Sequence, residues 1–244
     1  MNILIIGYGF VGKATEQFLR ACGNDNIFIQ DPALGHNPDK SILDTIDYSF
    51  VCVPSPPSST GRFDLMHVID AVTTAPGHVI IRSTIGPDQT AYFPGVDFLP
   101  EFLREKHAEE DAVATDMPLV YGSDDYDPLL LEVISGCKRI IITSVKTAVM
   151  FKLARNSLLA SRVALANELY DICKEQTIDY NSVADLIKAD KDIGGTHYDV
   201  PGHDGKRGFG GNCLPKDIGH MTTLSEAAYL LKSIYTNNRN YRDE

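Results

Sequence analysis

Residues 2–13, with the sequence NILIIGYGFVGK, decide the fold of this 244-residue chain. The short apolar, branched run at residues 2–6 is typical of a buried parallel strand. A glycine turn at residues 7–12 follows at once, and residues 13–20 carry apolar side chains at helical spacing. Strand, glycine turn and helix in this order are the context in which a G-x-G-x-x-G motif binds a dinucleotide.

Each glycine of this motif has a separate task. Gly7 makes the turn, Gly9 lets the backbone approach the pyrophosphate, and Gly12 lets the helix pack close to the strand. The first amides of the helix then face the phosphates. A second apolar run, residues 27–29, leads to Asp31, which lies 19 residues past Gly12 and matches the acid that binds the ribose hydroxyls. A carboxylate there repels a 2′-phosphate, so the sequence predicts NAD as cofactor and disfavours NADP.

The first part of the chain continues to alternate between the two kinds of element. Strands are predicted at residues 48–53, 78–82, 96–99, 119–121 and 139–143, with helices within 61–74 and 128–135. The alternation predicts an α/β fold, a Rossmann-type doubly wound parallel sheet. Ligands of such sheets bind beyond the carboxyl ends of the strands, where Thr84, Glu101 and Glu105 become candidate site residues. The residues predicted to contact the cofactor are Gly7, Gly9, Phe10, Val11, Gly12, Asp31, Val53, Pro54, Ser83, Thr84, Glu105 and Lys216.

A long helix is predicted after the sheet. Residues 144–175 contain no Gly or Pro and carry apolar residues at steps of three and four, which indicates a helix about 45 Å long. Lys152 and Asn156 are one turn apart on this helix, so their side chains can meet one ligand. Its apolar residues point in more directions than one small domain can cover: Val163, Leu165, Ala166, Leu169 and Ile172. Burial against a second copy, in a homodimer, is therefore predicted.

The rest of the chain is predicted to be helical and loop-like. Shorter helices are expected at residues 181–189 and within 225–237, separated by a polar loop at 191–207. The predicted domains are a dinucleotide-binding domain at 1–143, an all-α domain with the dimerisation helix at 144–217, and a short helical tail at 218–244.

Residues 208–217, GFGGNCLPKD, place one thiol after a glycine-rich loop. Pro215 is predicted to be the first residue of a new helix, where its missing N–H does no harm. A thiol ahead of a helix N-terminus feels the positive end of the helix dipole, and Lys216 adds a full charge nearby. Both effects favour the thiolate, so Cys213 is predicted to be a nucleophile with the carboxylate of Asp217 close by. The plainer interpretation is a buried cysteine in a glycine turn.

Composition limits the class of protein. A net charge of −11 argues against nucleic acid or an anionic membrane as a partner. There is no apolar run of about 18 residues and no signal peptide, so a soluble cytoplasmic enzyme is expected. Five cysteines are an odd number without metal-ligand spacing, which suits free thiols in a reducing compartment and predicts no metal site.

These motifs resemble those of the nucleotide-sugar dehydrogenases that oxidise UDP-glucose to UDP-glucuronate, with the related UDP-N-acetylmannosamine and GDP-mannose enzymes. The resemblance covers residues 1–241, and the matching segments are 7–12, 50–54, 83–84, 100–105, 152–156, 167–168 and 208–217. Members of the family normally continue into a second nucleotide-binding-like domain. This sequence ends 27 residues after Asp217, so the resemblance does not extend to that domain.

The resemblance implies a role for each matching residue. Cys213 would be the nucleophile, with Lys152, Asn156 and Asp217 around the reacting carbon. Glu101 would be the acid/base for hydrolysis, and Thr84 would help to place a water. UDP-glucose is the implied substrate, held by Glu101, Phe102, Leu103, Glu105, Lys152, Asn156, Phe209, Gly210 and Cys213. The long helix would be the family's dimer-forming helix.

Oxidation of a primary alcohol to an acid takes two hydride transfers and therefore two NAD⁺. Asp217, through water, or Lys152 in its neutral form would accept the alcohol proton. Cys213 would capture the aldehyde as a thiohemiacetal, and Lys152 and Asn156 would meet the oxyanion that develops as the thioester forms. Water activated by Glu101 would release the acid.

Two alternatives stay open at this point. One is a two-electron dehydrogenase of the β-hydroxyacid type, which shares the Lys/Asn pair but has no need of a thiol. The other is a catalytically weak NAD-binding dimer with a regulatory or assembly role.

Overall fold

The computed structural model describes residues 1–104, 108–114, 117–136, 139–194 and 196–242, with only the backbone of Glu109. Packing divides the chain into two units. The first comprises Met1–Ser58 and Phe63–Lys152, and the second comprises Ser59–Arg62 and Leu153–Glu244. Packing units and functional domains are different divisions, so the domain limits at 143 and 217 stay predictions.

The first unit contains a seven-stranded sheet with strand order β2-β1-β3-β4-β5-β6-β7. Its strands are β1 (Ile3–Ile6), β2 (Ile27–Gln30), β3 (Tyr48–Val51), β4 (His78–Ile81), β5 (Asp97–Phe98), β6 (Leu119–Gly122) and β7 (Ile140–Thr143). Strands β1 to β5 are parallel, which confirms the Rossmann-type α/β fold. The order reverses at β1, because β2 and β3 lie on its two sides, and this is the switch point where such sheets bind ligands.

Strand β6 is the exception to the parallel arrangement of the sheet. This strand pairs antiparallel with β5 through Phe98 and Gly122, and β7 is parallel to β6. An apolar run predicts where a strand lies but not its direction, which depends on the path of the connecting chain. The consequence is functional, since only β1 to β5 end at the edge that carries the glycine turn.

Helices cover the sheet of the first unit. They are α1 (Phe10–Ala21), α2 (Lys40–Leu43), α3 (Met66–Thr74), α4 (Ala108–Val113) and α5 (Pro128–Ile134), with single 3-10 turns at Pro32–Leu34 and Thr90–Tyr92. Side chains of adjacent positions in β1, Ile3, Leu4 and Ile5, are all fully buried, so both faces of the strand are covered. The buried positions of α1 include Ala14, Phe18 and Leu19, as the helical spacing predicts.

The second unit is helical. The long helix α6 runs without a break from Val145 to Glu175, which confirms the predicted element, and its residues from Leu153 onward belong to this unit. It is followed by α7 (Tyr180–Ala189), α8 (Leu214–Thr223) and α9 (Tyr229–Asn238). Helix α8 begins one residue earlier than predicted, because Leu214 takes the first position, Pro215 the second, and Cys213 the N-cap. Helix α9 lies in the predicted range of 225–237 apart from its last residue, Asn238.

Among the residues that the structure describes, Cys22, Cys52, Cys173 and Cys213 form no disulfide, whereas Cys137 lies outside the described residues. Cys52 and Cys173 are buried among apolar side chains, as small core residues. Within the described part of the chain, no helix combines the length and apolarity needed to cross a bilayer.

Candidate functional site

The turn between β1 and α1 requires glycine at two positions. Gly7 has a φ of +87°, a region that favours glycine. A Cβ on Gly12 would lie 2.1 Å from the carbonyl oxygen of Gly7, so only glycine lets α1 start this close to the strand. At Gly9, the N-cap of α1, an added Cβ would meet no described atom within 4 Å. The turn is therefore tight on its protein side and open at Gly9, which fits the close approach of a pyrophosphate to the backbone.

The carboxylate of Asp31 lies beside this turn. Asp31 follows β2, and its Oδ2 accepts a hydrogen bond of 2.8 Å from the backbone N–H of Tyr8. The acid is therefore held at the carboxyl edge of the sheet next to the glycine motif, where a ribose-binding acid is expected.

The ends of β3 and β4 are tied together by Ser83. Its hydroxyl donates to the carbonyl oxygen of Val53 at 2.7 Å and contacts that of Val51 at 3.2 Å. Thr84 is buried beside it, Val53 is half-buried and Pro54 is exposed. All of these residues follow the parallel strands at the edge that carries Gly7 and Asp31. Direct contact with a cofactor stays a prediction for them.

A buried ion pair follows β5. The ammonium of Lys152, which is only 2% exposed, donates to Oε1 of Glu101, and the N–H of Leu103 donates to Oε2 at 2.9 Å. Burial raises the pKa of the Glu101 carboxyl, but the charge and hydrogen bond of Lys152 outweigh it and hold that pKa below its ordinary value. Glu101 is thus a carboxylate at neutral pH. A buried carboxylate needs a cationic partner, and Lys152 is the partner in this pair.

Arg82 is a residue that sequence reasoning missed. It directly follows β4, is 5% exposed, and its guanidinium lies over the ring of Phe18 with Cζ 6.0 Å from the ring centre. Among the residues that the structure describes, its Nε and Nη1 have no hydrogen-bond partner. Its charge also lowers the pKa of Glu101. The signal in the sequence was a cation at the end of an otherwise apolar strand.

A second polar cluster lies in the helical unit, at the start of α8. Asp217 has no exposed surface. Its Oδ2 accepts from the Asn156 amide at 2.6 Å, and its Oδ1 accepts from the Lys216 ammonium at 2.5 Å. Cys213, half-buried, occupies the N-cap of the same helix, and its carbonyl accepts from the N–H of Asp217 at 3.0 Å. The structure therefore brings a thiol, a carboxylate, an ammonium and an amide together around one helix terminus.

Several predicted binding residues have other contacts. The ring of Phe209 lies in the core formed with Ala160, Ala164 and Ile218, while Gly210 is half-buried. The ring of Phe102 packs edge-on against Phe151 at 5.6 Å, and Leu103 packs on the core of the first unit. Glu105 lies outside the described residues. Substrate contacts for these residues stay predictions.

A buried histidine lies one turn beyond Asp217. His220 is fully buried, and burial, with a smaller effect of Arg62, lowers its pKa to about 4. In the unfolded chain the imidazole of His220 therefore binds a proton near its ordinary pKa of about 6.5. In the folded chain it does so only near pH 4. The contribution of neutral His220 to the free energy of unfolding should be fully present above about pH 6.5 and should be lost as the pH falls towards 4.

We expect His220→Gln to remove this dependence. Between pH 7 and pH 4.5 the wild type should lose about 2.5 kcal/mol that the variant does not lose. Urea unfolding at the two pH values measures the difference. His203→Gln, at an exposed position of the same unit, is the matched control. Equal pH slopes in the wild type and His220→Gln would show that His220 is not the group responsible.

The chain resembles known proteins along nearly its whole length. Residues 146–240 match the model of the central domain of the UDP-glucose/GDP-mannose dehydrogenase family. A UDP-glucose 6-dehydrogenase of Rickettsia typhi is 30% identical, with 98% of this chain and 67% of the relative covered. A GDP-mannose 6-dehydrogenase of Pseudomonas savastanoi pv. phaseolicola is 27% identical, with 98% and 68% covered.

Solved structures show the same fold. A UDP-glucose dehydrogenase from Pyrobaculum islandicum superposes with a TM-score of 0.79 at 22% identity, covering 98% of this chain and 67% of that one. A UDP-D-ManNAc dehydrogenase from Pyrococcus horikoshii has a TM-score of 0.81 at 20% identity, with 98% and 68% covered. The chain thus spans about two thirds of the length of these proteins.

Proposed function

Because the chain belongs to the UDP-glucose/GDP-mannose dehydrogenase family, we propose that it oxidises the primary alcohol of a nucleotide sugar to the uronic acid with NAD⁺, and that UDP-glucose is the substrate. The observation that carries this proposal is the cluster at the start of α8, where Cys213 occupies the N-cap position and buried Asp217 accepts hydrogen bonds from Asn156 and Lys216. A two-electron dehydrogenase has no use for such a thiol.

NAD⁺ is proposed as cofactor because the glycine turn and Asp31 have the form that it needs. Gly9 leaves room for the pyrophosphate, and Asp31 is fixed beside the turn by the N–H of Tyr8. When bound, NAD⁺ accepts hydride. The protein's own residues then hold the cofactor at the carboxyl edge of the sheet and supply the groups that move protons and bind the carbonyl carbon.

Asp31 is expected to set the preference for the cofactor. NAD⁺ should bind at least about 10-fold more tightly than NADP⁺, because a 2′-phosphate against a carboxylate costs more than about 1.4 kcal/mol. Asp31→Asn keeps an acceptor for the Tyr8 N–H and removes the charge. The variant should therefore show a smaller difference between its affinities for NAD⁺ and NADP⁺. Calorimetric titration with both cofactors measures it, with Asp25→Asn as the control for a lost surface charge. Equal affinities in the wild type would remove Asp31 from the ribose site.

The proposed reaction uses the thiol in its second half. Asp217 accepts the alcohol proton, directly or through water, since its two oxygens already accept hydrogen bonds and its carboxylate is oriented by them. The first hydride leaves the same carbon for NAD⁺, which gives the aldehyde. The Cys213 sulfur then adds to the aldehyde carbon, and the ammonium of Lys152 and the amide of Asn156 stabilise the oxyanion of this thiohemiacetal. Loss of the second hydride leaves a thioester. The Glu101 carboxylate takes a proton from the water that cleaves it, which releases the uronic acid and the thiol.

The stoichiometry of reduction tests this proposal. Purified protein is mixed with NAD⁺ and a limiting amount of each nucleotide sugar in a panel, and NADH absorbance is followed to completion. Two NADH per sugar consumed, with a uronic acid and no free aldehyde, is the expected result for UDP-glucose. One NADH per molecule oxidised would favour the β-hydroxyacid type of reaction. No reduction with any sugar would leave the weak NAD-binding dimer as the better reading.

We further propose that the protein is a homodimer formed through α6. Leu158, Leu165 and Ile172 are 67%, 51% and 54% exposed. They are spaced by seven residues and so form one apolar stripe along the helix. The exposed stripe contains only some of the residues predicted for the dimer contact. Ala166 is buried, and Val163 and Leu169 pack inside the second unit. A stripe of this kind is stabilised by a copy of itself across a two-fold axis.

A charge in this stripe should break the dimer without unfolding the chain. Leu158→Glu or Leu165→Glu is expected to halve the mass in sedimentation, since a buried charge at a two-fold contact meets its own copy. Lys146→Glu, at an exposed polar position of α6, is the control. A wild type that sediments as a monomer at micromolar concentration would contradict the proposal.

A further inference from the structure

The loop before Cys213 is held by the end of helix α9. Residues 208–212 separate the polar loop from the start of α8, and three of these five residues are glycine. Gly208 and Gly211 have φ values of +72° and +78°. Glycine backbones have many accessible conformations, so a loop of this composition has a defined shape only where other groups bind it.

Asn238 binds both backbone polar groups of one residue in this loop, Phe209. Its Oδ1 accepts from the N–H of Phe209 at 2.8 Å, and its Nδ2 donates to the carbonyl oxygen of Phe209 at 2.9 Å. Asn238 is 7% exposed, although it is the last residue of α9. A carboxamide is the side chain that supplies one acceptor and one donor in this geometry. A buried amide used in this way fixes the position and the orientation of the Phe209 backbone.

Arg242 binds the loop on either side of Phe209. Its Nη2 donates to the carbonyl oxygen of Gly208 at 2.9 Å, and its Nη1 pairs with Asp204 at 2.6 Å. A Cβ on Gly210 would lie 2.5 Å from Nη1, so the guanidinium lies directly against the loop backbone. The Arg242 side chain is only 9% exposed. A guanidinium with a fixed fork of donors is suited to hold a backbone in one place.

The other end of the loop is fixed by α8 itself. Cys213 is the N-cap, and the first hydrogen bond of the helix joins Asp217 to it. Helix α8 packs on α9 through Ile218 and the apolar side chains of Leu231, Ile234 and Tyr235. The segment with Asn238 and Arg242 is thus part of the same packed layer as the helix that carries the thiol. Only residues 210–212 lie between Phe209, which Asn238 binds, and Cys213, the N-cap of α8.

We propose that Asn238 and Arg242 are positioning residues for Cys213, which act by holding the loop at Gly208, Phe209 and Gly210. The inference rests on the proposed role of Cys213 as nucleophile. Neither residue is placed in contact with the substrate or the cofactor. Their task is to keep the sulfur where the carbonyl carbon is presented, and a displacement of about 1 Å in such a group can cost on the order of 100-fold in rate.

The test compares three variants with a matched control. Asn238→Asp keeps the acceptor for the Phe209 N–H and loses the donor to its carbonyl oxygen. Arg242→Ala removes the guanidinium, and Arg242→Lys is the milder change in case alanine prevents folding. Asn240→Ala is the control, because Asn240 is exposed, lies on the same segment and hydrogen-bonds Asn237 rather than the loop.

Three readouts separate positioning from folding. We expect faster hydrogen exchange at residues 207–213 and a kcat at least about 10-fold lower, with the KM for NAD⁺ changed by less than about 2-fold. Added guanidinium ion should restore part of the kcat of Arg242→Ala. The rate at which iodoacetamide alkylates Cys213, followed by mass spectrometry, should change by at least about 3-fold relative to Asn240→Ala.

Each outcome decides the inference. Unchanged alkylation and turnover in Asn238→Asp and Arg242→Lys would overturn it and leave the proposed function intact. A kcat that falls only in proportion to the folded fraction, by circular dichroism, would also overturn it, because the residues would then serve folding alone. If the wild type reduces no NAD⁺, the proposed function fails, whereas the alkylation and exchange rates still test whether the segment positions the thiol.

Discussion

Cys213→Ser is expected to abolish formation of the uronic acid, with a fall in kcat of at least about 1,000-fold. A serine hydroxyl at the N-cap of α8 is a far weaker nucleophile than a thiolate, so the aldehyde is not captured. The variant should stall after the first oxidation or accumulate an ester, and NADH formed per sugar should fall below two. Rapid-quench analysis of products, with NADH absorbance, measures both.

The control for this prediction is Cys22→Ser, a half-buried thiol of the first unit whose Sγ lies near the carbonyl oxygen of Ile134. It should turn over like the wild type. Wild-type turnover by Cys213→Ser would remove the thiol from the mechanism and return the chain to the two-electron class of dehydrogenase.

Breaking the Glu101–Lys152 pair is expected to have the largest effect on stability. Lys152→Met leaves a carboxylate buried without its counter-ion, which costs about 3–5 kcal/mol in the free energy of unfolding at neutral pH. Replacement of both partners removes the uncompensated charge. Lys152→Met/Glu101→Gln should therefore recover most of the lost stability, although neither protein should be active.

Urea unfolding of the two single variants and the double variant forms a complete cycle. The pair is coupled if the double variant is more stable than Lys152→Met alone. A double variant no more stable than the single one would show that the Glu101 carboxyl finds another partner, for which buried Arg82 is the candidate. The triple change that includes Arg82→Met then distinguishes the two cases.

The elements of the fold could be predicted because they depend on local patterns. The β1–turn–α1 unit follows from an apolar run, two glycines that no other residue can replace, and helical spacing after them. The 31-residue helix α6 follows from an uninterrupted apolar periodicity. The reversed direction of β6 could not be predicted, because it is set by the path of the chain and not by the side chains of the strand.

The candidate site divides in the same way. The positions of Cys213 and Asp217 on one helix follow from their spacing, and the edge that collects Gly7, Asp31 and Glu101 follows from the parallel strands. The pairing of Glu101 with Lys152, which lies 51 residues further on, could not be predicted, since it depends on where α6 meets the loop after β5. The sequence also could not indicate the role of Asn238, because an asparagine at the end of a helix is usually a solvent-exposed capping residue.

The sequence by itself therefore determined which residues are candidates for the proposed reaction and which local elements carry them, because glycine conformations, helical periodicity and helix termini act over a few neighbouring residues. Only the tertiary structure decided which charges are buried together, which apolar residues of α6 face outward, and how the loop at Phe209 is held. These properties arise from contacts between segments distant in the chain, whose energies depend on burial and mutual geometry rather than on the order of residues.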